Sequence, residues 1–145
     1  MERILAVSVV ATLWSASGCK ESCSDLAEQY AEENTLERAV LDTCDPSEAD
    51  ACSLLLPTVV WEVPDGVTVS NQLTPQQQGL KLQGLSACMR PHSPSRSARL
   101  AKIYGDFEAK GCQLAPTPCP LPPSNGWVCG QYNAGYACVA NTSAE

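Results

Sequence analysis

Residues that carry chemistry are scarce in this chain. One histidine, one phenylalanine, two methionines and three tryptophans occur in 145 residues. A hydrolase triad needs a base beside a nucleophile and a third group to orient that base. His92 is the only imidazole, set between Pro91 and Pro94 in what reads as a loop. The run Gly84-Leu85-Ser86-Ala87-Cys88 starts like a nucleophile elbow, but Cys88 stands where the second glycine belongs and no strand is predicted to enter it. His92 is therefore expected to be a surface residue, and no catalytic residue is assigned. No Cys-x-x-C occurs either, which with a single histidine argues against a zinc ribbon or a thioredoxin-like pair, so no metal or cofactor is expected. Asp45, Glu48 and Asp50 lack the central glycine and distal glutamate of a calcium loop and read as a solvated acidic turn. Basic residues are outnumbered, 9 against 16 acids for a net charge of −7, which argues against nucleic acid as a partner.

What the chain does have is a leader. Arg3 and the free amine precede an apolar run from Ile4 to Trp14, and Ser15-Ala16-Ser17-Gly18 follow. That is the order of a secretory signal, residues 1–18. The run is 11 residues long, well short of the ~20 that span a bilayer. Nine cysteines are an odd number for an exported chain. With Cys19 set aside, eight remain: Cys23, Cys44, Cys52, Cys88, Cys112, Cys119, Cys129 and Cys138. In an oxidising compartment these are expected to form up to four disulfides. The ending Ala16-Ser17-Gly18-Cys19 resembles the lipobox of bacterial lipoproteins. That resemblance implies that Cys19 takes a diacylglyceryl group, becomes the new N-terminus and anchors the chain to a membrane. The alternative is ordinary cleavage after Gly18, with Cys19 free or paired between chains and the protein secreted in soluble form.

Removing 18 of 145 residues leaves 127, room for one domain of 22–145 behind a tether of 19–21. Its aromatics are few: Tyr30, Trp61, Tyr104, Phe107, Trp127, Tyr132 and Tyr136. A core this thin needs covalent help. Ser22 to Cys44 reads as one helix, or two with a restart at Asn34. Ser22 and Asp25 resemble a capping box, and Leu26, Tyr30, Leu36, Val40 and Cys44 recur at helical spacing. Val59, Trp61 and Val63, then Pro64-Asp65-Gly66, then Val67 and Val69 predict a β-hairpin. Asn71 to Gly84 reads as a Gln-rich loop, with a short helix over Pro75 to Leu82 as the other option. Ser95 to Lys110 predicts a helix with an apolar stripe of Leu100, Ile103, Tyr104 and Phe107, a Gly105 that admits a close crossing, and Gly111 as its stop. The Pro-rich segment 113–125 is expected to be extended, and 126–141 to form a second hairpin. Asp25, Glu28 and Glu32 line one helix and Arg96, Arg99 and Lys102 the other. The helices are therefore expected to pack as neighbours with these charges flanking the seam, or else to present two separate solvated faces. The fold class is a small disulfide-rich α+β domain with two main helices and one or two β-hairpins.

Trp127, Tyr132 and Tyr136 stand among Asn125, Gln131, Asn133 and Asn141. Rings beside amides suit a sugar-binding surface, while the plainer reading has Trp127 and Tyr136 packing together as the hairpin's own core. The order of parts is a lipobox, an acidic helix closing on Cys44, a helix closing on Gly111-Cys112, then Cys119-Pro120 and two more cysteines. It resembles small Cys-rich predicted lipoproteins of predatory soil bacteria, which implies an envelope location and disulfides and assigns no activity. The sequence thus points to a lipid-anchored, non-enzymatic binding or structural module of the outer membrane, with an envelope protein or polysaccharide as partner. Its alternatives are a hydrolase with a cleft at His92, and an inhibitor-like scaffold presenting the loop from Cys119 to Cys129.

Overall fold

A computed structural model describes residues 20–39 and 44–143. The leader, Cys19 and residues 40–43 of the expected first helix lie outside the described residues, and Cys44, its expected end, sits in a bend. Helix α1 spans Cys23–Ala39 without a restart at Asn34. The capping box is present: the Ser22 N–H donates to Asp25 Oδ2 at 2.8 Å and the Asp25 N–H to Ser22 Oγ at 3.1 Å. These bonds, the backbone one first, hold the Asp25 carboxyl below its ordinary range. Leu26 and Tyr30 are buried as the periodicity predicts, but Leu36 is 63 % exposed because the last turns of α1 run past the core.

Strand β1 (Leu54–Glu62) does not pair through the Pro64-Asp65-Gly66 turn. The turn forms, with the Val67 N–H on Pro64 O at 3.2 Å, yet Val67 and Val69 are exposed coil. The partner is β2, Lys81–His92, antiparallel to β1 from Leu54↔His92 to Glu62↔Lys81. The distant partner wins because it brings Leu85, which is 1 % exposed, against the helices. A strand therefore does run through Gly84 to Cys88, against expectation. The intervening loop is held by Gln78, whose side chain accepts from the Ser70 N–H at 2.6 Å and donates to Ser70 O and Leu73 O. The helix allowed over Pro75 to Leu82 is a turn only, ending at Gly79.

Helix α2 spans Ala98–Ala109 and buries Leu100, Ile103, Tyr104 and Phe107. It ends in a Schellman arrangement: the Cys112 N–H reaches Phe107 O at 3.2 Å, the Gly111 N–H reaches Glu108 O at 2.9 Å, and Gly111 has φ +79°. Leu26, Ala27 and Tyr30 of α1 join that stripe in one core with Leu56 and Leu85, so the helices are neighbours. The Tyr30 and Tyr104 rings meet edge to face at 6.4 Å. Among the described residues Arg99 pairs with Glu33 at 3.3 Å, an acid outside the expected stripe of Asp25, Glu28 and Glu32, while Lys102 turns to Asp106 on its own helix. Gly105 serves no crossing; a methyl group there would meet open space. Gly105→Ala is accordingly expected to stabilise the protein by about 0.5–1 kcal/mol, whereas Gly111→Ala, at positive φ, should cost about 1 kcal/mol. Urea midpoints of the two variants should move in opposite directions.

The C-terminal hairpin pairs β3 (Trp127–Tyr132) with β4 (Gly135–Ala140). Four disulfides join the parts: Cys23–Cys112, Cys44–Cys129, Cys52–Cys138 and Cys88–Cys119. The first ties the start of α1 to the residue after Gly111. The second and third fasten the hairpin to the segment 44–52, around a second small core of Cys44, Ala51 and Cys52 with Trp127 against it. The result is a small disulfide-rich α+β domain.

Candidate functional site

The described residues enclose a cleft of about 490 Å³ that the sequence did not announce. Its floor is apolar: Ala31 of α1 and Leu80 are buried, and Leu82 of β2 is half-buried. Trp61, the eighth residue of β1 and half-buried, forms a wall. Glu28 and Glu32, one turn apart on α1, stand on the rim, with Gln76 and Lys81 also lining the opening. Neither glutamate has an ion-pair partner among the described residues, in contrast to Glu33, which holds Arg99. Two like charges at i and i+4 repel one another mildly and gain from a cation brought between them. An indole lining the same cleft can attract such a cation through its ring face and cover the apolar body that carries it. Chemically, the cleft suits an amine or guanidinium borne on an apolar stem.

His92 is not a plain surface residue. It ends β2 half-buried, and its Nδ1 lies 3.3 Å from Ser97 Oγ. This contact explains why Ser97, at the N-terminus of α2, makes no side-chain cap. A serine beside a histidine has the outline of a nucleophile and base, but Ser97 is 2 % exposed and its hydroxyl offers no open approach to a substrate. The acidic turn is likewise more engaged than expected. Ser95 Oγ donates to the Glu48 carboxylate at 2.8 Å, tying this turn to the corner between β2 and α2. Ser47 donates to Asp45 through both its hydroxyl and its N–H and holds that carboxyl below its ordinary range.

The three aromatic residues of the hairpin do not form one platform. Trp127, Cys129, Tyr136 and Cys138 share a face, because Gln131 is opposite Tyr136 and Cys129 is opposite Cys138. Tyr132 points to the other face and is 60 % exposed. Trp127 is occupied against the bridges Cys44–Cys129 and Cys52–Cys138. The Sγ atoms of Cys44, Cys52 and Cys138 lie within 4.8 Å of one another, which is the proximity of two adjacent disulfides. Bonded in pairs, they present no thiolate to a metal.

The loop between Cys119 and Cys129 is the third place singled out by the sequence. Leu121 is 93 % exposed at its outer end, and both flanking cysteines are in bridges, to Cys88 and Cys44 respectively. No helix among the described residues is long and apolar enough to cross a membrane. Comparisons of the chain with protein-family models, with curated proteins and with solved structures find no match to any of them.

Proposed function

We propose that the protein is a non-enzymatic binding module of the bacterial envelope, exported by residues 1–18 and held at the outer membrane by lipid on Cys19. The eight described cysteines pair among themselves, so none of them is a partner for Cys19. Four bridges also fit an oxidising compartment. The observation that carries the binding role is the cleft, which two glutamates without ion-pair partners among the described residues line together with half-buried Trp61 and the apolar Ala31, Leu80 and Leu82. Its ligand is an amine-bearing group of an envelope protein or polysaccharide. The hydrolase reading would run through His92 and has less support, since the neighbouring Ser97 is buried.

The test uses Trp61 fluorescence. Trp61 and Trp127 are the indoles beyond the leader, so Trp127→Phe leaves Trp61 as the reporter. Titration with tetralysine at low ionic strength should shift its emission, and Glu28→Gln with Glu32→Gln should weaken the response about fivefold. An emission that does not move, or moves equally in the double variant, removes the cleft as the ligand site.

A second reading is favoured by the exposure of Leu121: the disulfide-pinned loop is presented to a protein partner.

A further inference from the structure

The segment from Ala115 to Pro123 reads Ala-Pro-Thr-Pro-Cys-Pro-Leu-Pro-Pro, so every residue in it is a proline or precedes one. Proline fixes its own φ near −65°. It also drives the preceding residue out of the α region into extended geometry. The segment is therefore biased to an extended, polyproline-II-type geometry before any partner arrives, with the Thr117 hydroxyl donating to Ala115 O at 3.2 Å within it.

The rest of the molecule fixes this rod in place. At its start, the Ala115 N–H donates to Leu85 O at 2.7 Å and Ala115 O accepts from the Ala87 N–H at 3.0 Å, seating it on β2. In its middle, Cys119 is bonded to Cys88. At its end, the Gly126 N–H closes a turn on Pro123 O at 3.2 Å, and the chain is fastened again at Cys129. Between these fixings, residues 116–122 are all exposed. With about three residues per turn, Pro118 and Leu121 share one edge of the rod.

We propose that this strap is the docking element of the module, and that its partner is a protein with a groove walled by aromatic rings. The inference rests on the second reading above and is independent of the cleft. Strand addition is disfavoured because five of the nine positions, Pro116, Pro118, Pro120, Pro122 and Pro123, have no N–H to donate to a ladder. Ring faces accept proline rings without needing donors, and Leu121 supplies an anchor that is 93 % exposed until it is covered. Because backbone and ends are already ordered, little further conformational entropy is lost on docking.

The probe is an isotope-labelled WW domain, whose aromatic groove takes polyproline-II segments, titrated with the mature, disulfide-intact protein. Groove resonances should shift in the wild type, and Leu121→Ala should weaken binding about tenfold, the effect of uncovering one leucine. Pro118→Ala with Pro120→Ala, which loosens the rod, should weaken it as well. Leu121 touches no core, so its substitution leaves the fold intact; alkylation of the folded variant should still find no free thiol. Glu28→Gln with Glu32→Gln should leave this binding unchanged, which separates failure of the strap from failure of the cleft. The proposal is overturned if the groove resonances do not shift at millimolar protein, or if Leu121→Ala binds as the wild type does.

Discussion

Replacing Cys23 and Cys112 together by alanine is expected to lower the unfolding free energy by about 4 kcal/mol. The bridge spans 89 residues, and a cross-link of that length removes about that much chain entropy from the unfolded state. A domain of this size has about 5–15 kcal/mol in total, so the variant should lose about 15 °C in its midpoint. The apolar core offers little reserve, since its fully enclosed large side chains are few and Leu26, Tyr30, Leu56, Leu85 and Leu100 supply most of it. The same pair of substitutions at Cys88 and Cys119 should cost least. That bridge closes a span of 31 residues, and Cys119 lies on the exposed strap away from the core. Chemical denaturation of the two double variants, each with its remaining six bridged cysteines verified, gives the ranking.

Tyr30→Ala is the second large expected loss, about 3–5 kcal/mol. Tyr30 is wholly buried, and three elements meet at it. Its ring meets Tyr104 of α2, its body lies on α1, and its hydroxyl donates to Pro57 O of β1 at 2.6 Å. Tyr30→Phe keeps the ring and removes the donor, leaving a buried carbonyl without that partner, at a cost of about 1–2 kcal/mol. Urea unfolding of both variants separates the two contributions. A Tyr30→Phe loss equal to that of Tyr30→Ala would mean that the hydrogen bond, and not the packed ring, joins the helices to the sheet.

What could be read from the sequence is what local spacing encodes. The Ser22–Asp25 capping box, the Leu100–Phe107 stripe and the Gly111 stop each depend on residues a turn or so apart, and each stands in the structure. The hairpin over Trp127 to Ala140 and its two cysteines are local in the same sense. What could not be read depends on partners far along the chain. Strand β1 had a plausible neighbour at Val67 and Val69, and its preference for β2 is decided by where Leu85 lands in three dimensions. Within β2, Gly84 and Ser86 break the apolar pattern, and the Ser86–Cys88 stretch opposite the irregularity at Pro57/Val59 pairs with Ala115 instead. Cys129 and Cys138 face one another across the hairpin, yet each bonds to a cysteine more than 80 residues away. The cleft escaped notice for the same reason: Trp61 and the pair Glu28 and Glu32 come from different elements and carry no common spacing. Trp127, Tyr132 and Tyr136 do not share one face, because one residue of displacement puts Tyr132 on the opposite side of the hairpin.

The central claim, an exported domain held together by four disulfides and anchored at Cys19, is tested most directly by intact mass. The protein would be purified from the membrane fraction and alkylated before and after reduction. The account predicts an N-terminus at Cys19 carrying the mass of its acyl chains, no alkylated thiol before reduction and eight after it. Retention of Met1, absence of lipid mass, or two or more thiols alkylated before reduction would contradict it.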